Sequence, residues 1–501
     1  MRALAPSLFF VGIGSFACAA IVVDVSADGE SDGSGESGES GGADKGEPCD
    51  LDGDVSGDEA RHCAVGFSCE PVAGDEAEYV CAEPVLVRGK VYDALTGDAI
   101  EGALISVLDG TGMPLGDVAS SSADGSYELR ASAFRDGEGE LLGDTVFTIQ
   151  AFAADYAPFP SGVRPALPVS SAAGVEEAGQ LVLETPATDV ALLPLPGELR
   201  GGATIHGVVN GDLPGGILVV AEGGAAPAPY GLADRSGEFT IFNVAPGSVS
   251  VVGYRAGLEV TPVTINATAG ATHELDLDAA AAGDEVGRVS GELKIVDGGG
   301  SSLTSVVLVP SSVYDGTFER GPVPFGLRAP APGLAPDVSG AFTINEVPAG
   351  IYKVLAAGEN DGLIRDPDES IAGTDILEVE VDAGAEVQLS ESFKITAALA
   401  VVSPGAEAPE AVAGAPSFVF ADDSSEDRYV VTVFDALGNE VWQRVDVPKV
   451  SGGANVTVPY EGPALLPGMW YQFRAASVRD KQGAEIWLSR TEELRGVFFV
   501  E

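Results

Sequence analysis

Side chains able to do acid–base or nucleophilic chemistry are scarce in this chain. It holds three histidines, His62, His206 and His273, in different segments. His62 is next to Cys63, and His206 lies in a strand-like pattern. His273 precedes Glu274, but Leu277 stands where a zinc-binding helix would need its second histidine, and the local pattern is that of a strand. The sequence contains no GxSxG elbow and no Walker loop. Gly33-Ser-Gly35-Glu-Ser-Gly38 has the spacing of a dinucleotide loop, yet no strand precedes it and no helix follows. A Ser-His-Asp triad is set by geometry and not by chain order, so one could still assemble. With histidines this scattered, the reading is that the chain is not an enzyme.

Metal chemistry has one weak candidate. Asp50, Asp52 and Asp54 alternate along the chain and could converge on calcium. The segment resembles the start of a calcium loop, then departs: Val55 stands where such a loop needs glycine and Arg61 where it needs a bidentate Glu. The competing reading is an acidic loop, and no other cofactor is expected.

Cysteine use is more informative. Cys49, Cys63, Cys69 and Cys81 form an even set with 13, 5 and 11 residues between them. That suits two disulfides in an oxidising compartment. Four cysteines allow three pairings, which the sequence leaves open. Zinc would want close CxxC pairs, which are absent. Cys63-Ala-Val-Gly-Phe-Ser-Cys69 resembles the C-x-x-G-x-x-C segment of small disulfide-rich modules in secreted bacterial proteins. The fifth cysteine, Cys18, follows Arg2, the apolar run from Leu4 and the small residue Ala17, which together read as a signal peptide over residues 1–19. Ser15-Phe-Ala-Cys18 resembles a bacterial lipobox, with Ser15 where that motif prefers an aliphatic residue. The resemblance implies a lipidated Cys18 and a membrane anchor. With Ala19 next, it implies the outer membrane or cell surface; a secreted or periplasmic product is the alternative.

Charge narrows the partners. With 77 acidic and 26 basic residues, the formal charge is −51. Such a chain repels phosphate backbones and anionic lipid surfaces, so nucleic acid is excluded as a partner. The expected partners are a membrane, through the lipid, and a protein or polysaccharide at the cell surface.

The elements that would carry these residues are strands. Residues 20–48 read as a disordered acidic Gly/Ser tether, of which 24–48 would span roughly 25–30 Å as a flexible coil, and residues 49–82 as the disulfide-rich module. From Val85 the pattern is β throughout, with alternation in Ala103-Leu-Ile-Ser-Val107 and Tyr429-Val-Val-Thr-Val433. One phrase recurs three times: Asp124-Gly-Ser-Tyr127, Asp234-Arg-Ser-Gly237-Glu-Phe239 and Asp337-Val-Ser-Gly340-Ala-Phe342. Asp and Gly make the turn, and the aromatic opens a strand with its ring on the buried face. In the second and third copies a Pro/Gly turn follows.

These repeats resemble the carboxypeptidase regulatory-like domain, a transthyretin-like sandwich. The likeness is best in the first, where Gly89-Lys-Val-Tyr-Asp93-Ala-Leu-Thr96-Gly97 matches the opening strand and turn. Asp155 stands where that family has a glycine before Tyr156. The resemblance implies three sandwiches, at 85–195, 201–282 and 286–395. Residues 397–501 hold all three tryptophans, Trp442, Trp470 and Trp487, and Trp470-Tyr-Gln-Phe473-Arg-Ala475 resembles a late strand of a fibronectin type III domain. The fold class is thus all-β, with several transthyretin-like or immunoglobulin-like sandwiches in series behind a disulfide-rich N-terminal module.

Function follows less directly. The leading reading is a surface-displayed structural or adhesion lipoprotein. The alternatives are a carbohydrate-binding surface protein and an accessory subunit of a secreted hydrolase. The sugar-site residues are unknown, with Tyr230, Tyr254, Tyr314 and Phe325 as candidates. Short Pro-rich links predict sandwiches strung as a rod, with 397–501 as its far tip. If Cys18 carries lipid, Cys18→Ala moves the protein from the membrane to the soluble fraction of the producing cell. Identical fractionation of variant and parent would refute lipidation.

Overall fold

The computed structural model describes residues 43–49, 63–73, 78–109, 114–143, 145–211, 213–296, 304–334, 336–356, 362–450 and 453–500. Cys18, the tether up to residue 42, Asp50, Asp52, Asp54 and His62 lie outside them. Among the described residues there is no α-helix, and the helical pieces are single 3₁₀ turns such as Ser171–Ala173. The fold is all-β, with sandwiches in series behind a disulfide-bonded N-terminal region.

That region pairs strand Ser68–Pro71 with strand Tyr79–Ala82, placing Cys69 opposite Cys81. Neither bonds to the other. The bridges run Cys49–Cys69 and Cys63–Cys81. Among its described residues the buried apolar cluster is Ala43, Cys49 and Cys81, with Cys63, Phe67, Cys69 and Tyr79 packed around them. Two bridges therefore staple these residues, whose own apolar burial is small. The module also begins earlier than the sequence suggests. Ala43 bridges Cys63, Gly46 donates to the Cys81 carbonyl at 2.8 Å, and Lys45 pairs with Glu140 at 2.8 Å. Residues 43–48, which read as the end of the tether, are thus tied into it.

Three sandwiches follow one plan. Each opens with a long strand: Val85–Asp93, Ala203–Asn210 and Gly287–Ile295. Along one edge it pairs antiparallel with the strand of the repeated phrase, Ser126–Ala131, Glu238–Val244 and Ala341–Val347. Along the other it pairs parallel with the closing strands, Val190–Leu192, Thr272–Ala281 and Phe393–Ala397. The second sheet centres on Leu104–Asp109 with Val146–Phe152, Leu218–Glu222 with Gly247–Tyr254, and Val306–Pro310 with Gly350–Ala356. Period-2 alternation turns Tyr127, Phe239 and Phe342 inward, all buried. The turn before Phe239 requires its glycine: Gly237 has φ 85°, and a Cβ there would lie 2.2 Å from the Val209 carbonyl oxygen.

The fourth sandwich sets a three-stranded sheet centred on Ser417–Phe420 against a six-stranded one centred on Trp470–Lys481. Phe418 stacks on Phe473 with ring centroids 4.7 Å apart, and Phe420 meets Tyr429 edge-on. Trp442 and Trp470 pack half-buried against this core, whereas Trp487 is 39% exposed.

The rod with a distal tip is overturned. The apolar cluster of the fourth sandwich includes Val163 and Leu193 from the first and Phe318 from the third. Cores of the second and third also run together, Leu218, Val220 and Tyr254 joining Val306, Val309 and Tyr352. Short Pro-rich links fold the sandwiches onto one another because large apolar side chains sit at their ends. Phe318, 2% exposed, is the sharpest case. Phe318→Ala is expected to destabilise the protein by about 3–5 kcal/mol, measured by denaturant unfolding of the mature chain. A loss below about 1 kcal/mol would mean that the wedge does not hold the sandwiches together.

Candidate functional site

Catalysis finds little to work with among the described residues. His206 Nδ1 lies 3.0 Å from Thr240 Oγ1, and its Nε2 is 3.7 Å from a Glu238 carboxylate oxygen. All three are on adjacent strands of an open sheet. His273 Nε2 accepts from the Thr268 N–H at 3.0 Å, which uses its lone pair. Neither histidine lines any of the cavities described below. The four module cysteines are consumed in disulfides, so no thiolate remains there for zinc.

The dense chemistry lies between domains. Glu70, on strand Ser68–Pro71, is fully buried. It accepts from the Ala133 N–H at 2.9 Å and the Ser68 hydroxyl at 2.5 Å, and its Oε1 is 3.5 Å from the Arg235 guanidinium. Arg235, from the second sandwich, also bonds Ser132 and pairs with Asp117 at 2.9 Å. One carboxylate thus ties the cysteine module to two sandwiches. Burial pushes the Glu70 carboxyl above its ordinary value of 4.5, while Arg235, the Ser68 hydroxyl, Arg135 and the Ala133 N–H pull the other way.

A second knot joins the first, third and fourth sandwiches around Phe318. Its neighbour Glu319 is gripped by Arg365 at 2.5 Å and by Arg490, which also bonds Glu493 at 2.6 Å. Burial works against the Glu319 charge, but Arg490 and then Arg365 outweigh it and hold the carboxyl below its usual range. Arg474 lies 5.4 Å from the ring centres of both Phe318 and Phe434 and donates to the Thr317 carbonyl at 2.9 Å. Arg164, 3% exposed, sits between Phe159 of the first sandwich and Trp470 of the fourth, 4.8 and 5.0 Å from their ring centres. Desolvation pulls its pKa down to about 10. Among the described residues no carboxylate pairs with it, and the two aromatic faces attract its charge instead.

Cavities follow these junctions. One, about 540 Å³, opens between the first and second sandwiches and is lined by Phe152, Tyr156, Tyr230, Phe242 and several prolines, with Arg200 and Glu198 beside them. Another, about 290 Å³, draws Gln150 from the first sandwich, Tyr230 from the second, Arg320 from the third and Leu494 from the fourth. Of the aromatic candidates, Tyr230 lines both and Phe325 lines a third cavity beneath Arg255. Tyr254 is buried and bonded to Glu222 at 2.8 Å, so it is packing. Tyr314 lies under Lys353, 5.7 Å from its ammonium. The sequence carried no signal for Glu70, Arg164 or Arg235, because the partners that place them between domains are far along the chain: Ala133 and Arg235 for Glu70, Trp470 for Arg164, and Ser132 and Asp117 for Arg235.

No protein-family model matches the chain, and no curated protein does. Solved structures align at low identity. The Bacillus anthracis TIE protein aligns at 10% identity over 87% of this chain and 74% of its own, with a TM-score of 0.15. Two B repeat units of the collagen-binding protein of Staphylococcus aureus align at 12% over 82% and 100%, TM-score 0.17. The minor pilin GBS52 of Streptococcus agalactiae aligns at 12% over 39% and 95%, TM-score 0.13.

Glu70 gives a test with a definite sign. A carboxyl whose folded pKa is raised carries its cost when ionised, so its contribution to stability falls as pH rises from 4.5 through the folded pKa. Relative to Glu70→Gln, the parent should therefore gain stability on acidification from pH 7 towards 4.5, read from denaturant midpoints. Asp117 and Arg235 are common to both proteins, and a stability gap that does not change with pH would contradict the assignment.

Proposed function

We propose that this chain is a non-enzymatic, surface-displayed scaffold, held at the outer membrane through lipid on Cys18 and presenting its sandwiches to a protein partner. The observation that carries the reading is where its charged and aromatic chemistry lies. Carboxylates and arginines join domain to domain, at fully buried Glu70 with partly exposed Arg235 and at the half-buried pair Glu319–Arg490. The described histidines, by contrast, stand on the strands of one sandwich away from every cavity described. Such a molecule devotes its polar contacts to holding its parts in place, which suits display or adhesion better than turnover. The acidic surface keeps it soluble and apart from anionic lipid.

Protease treatment of intact producing cells tests the display. Cleavage in the tether at 20–42 should release a folded fragment containing residues 43–500 into the medium. Retention of the whole chain until the outer membrane is opened would refute surface exposure.

A second reading, glycan binding, is favoured by one observation: the 540 Å³ cavity lined by Phe152, Tyr156, Tyr230 and Phe242, within the size range of small-ligand sites. Aromatic rings with a neighbouring Arg200 and Glu198 suit a sugar ring. A glycan array probed with the mature chain checks it. Saturable binding to one polysaccharide class that Arg200→Ala weakens would place glycan recognition ahead of protein docking.

A further inference from the structure

One backbone position recurs at every joint between sandwiches. It is the residue just past the second-sheet strand of the first two sandwiches, and the one opening the short strand Leu363–Arg365 of the third: Asp155, Gly257 and Gly362. All three take the left-handed conformation, with φ of 66°, 77° and 77°. In each, the carbonyl accepts the N–H of a residue just beyond the closing strand of its own sandwich: Leu195 at 2.8 Å, Ala282 at 3.0 Å and Ala398 at 2.8 Å. In each, the N–H donates onward to the next sandwich. Asp155 donates to Asn243 Oδ1 at 2.7 Å, Gly257 to the Glu346 carbonyl at 2.8 Å, and Gly362 to Glu492 Oε1 at 3.3 Å.

The receiving side is built to match. Asn243 and Glu346 are equivalent residues, four beyond Phe239 and Phe342. Both are left-handed, φ 62° and 56°, and both lie where the register of their strand shifts in a β-bulge. A bulge aims one residue out of the ladder, here at the preceding sandwich. Asn243 completes its side by donating to the carbonyls of Ala153 at 3.2 Å and Tyr156 at 3.0 Å. A left-handed non-glycine residue carries a conformational cost, and these two keep it at the joints.

The circuit then closes. The fourth sandwich, reached through Glu492, returns to the first through Arg164 between Phe159 and Trp470, and through Val163 and Leu193 in its apolar cluster.

We propose that the three left-handed N–H donors are one repeated coupling, and that with the Arg164 closure they lock the four sandwiches as a single body. This goes beyond the scaffold reading, since independent domains on flexible links could serve equally for display. Its failure would leave the protease-release test of that reading untouched.

Amide hydrogen exchange on the mature chain decides it. Asn243→Gly keeps the left-handed backbone available and removes the carboxamide. It is expected to speed exchange about tenfold or more in peptides covering residues 153–158, and also at the distant joint in peptides covering 362–365. Acceleration confined to 153–158, or none, overturns the lock. Calorimetry of the parent provides a second reading that does not depend on the variant. One cooperative transition for the four sandwiches is expected, and separate transitions for individual sandwiches overturn the proposal.

Discussion

A backbone N–H turned out of its own ladder needs another acceptor, and at the ends of these sandwiches the acceptor lies in the next one. Asp155, Gly257 and Gly362 each turn their chain with a left-handed residue, which points the N–H out of its own ladder. An amide left unpaired costs about 1–3 kcal/mol where water is kept out, and less at half-buried Asp155 and Gly257 or exposed Gly362. The neighbouring sandwich removes that cost with Asn243, Glu346 or Glu492. Domain order, link length and mutual orientation are all constrained by this one requirement.

Electrostatics constrains the same junctions from another side. In a chain with 77 acidic residues and 26 basic ones, arginine is scarce. Yet Arg164, Arg235, Arg474 and Arg490 all stand at contacts between sandwiches. Acidic domains repel when brought together. A guanidinium at these contacts both offsets that repulsion and satisfies carbonyls and carboxylates with its planar fork. Arg164 goes further, resting between two aromatic rings where a carboxylate would need its own desolvation.

The parts legible in the sequence were those governed by local physics. The Gly-x-aromatic phrase located the inward-facing Tyr127, Phe239 and Phe342, since alternation is a property of a single strand. The cysteine count anticipated two bridges, although the pairing Cys49–Cys69 and Cys63–Cys81 needed the three-dimensional arrangement. The joints were hidden. Asp155 looked like a departure from a glycine position, when its left-handed backbone does the same work as Gly257 and its carboxylate also accepts from the Gly201 N–H at 2.7 Å. The rod expectation failed for a related reason. Pro-rich composition reports that a link is short and stiff, but not whether Phe318 lies beyond it to wedge into two other sandwiches.

The cysteine module completes the same logic at the first sandwich. In the second and third sandwiches the end of the repeated-phrase strand is covered by the sandwich before it, through Asn243 and Glu346. In the first, that end meets the module: Ala133 donates to Glu70, Arg135 donates its N–H to the Pro71 carbonyl at 2.9 Å, and Ala73 donates back to Arg135 at 2.9 Å. The module stands where a preceding sandwich would. Its described residues bury only a small apolar cluster, so burial among them contributes little to holding it. Two disulfides hold its shape, and the sandwich end offers Glu70 the amide and the cationic neighbours that make a buried carboxylate tolerable. Each side thus meets a need that the other could not meet alone.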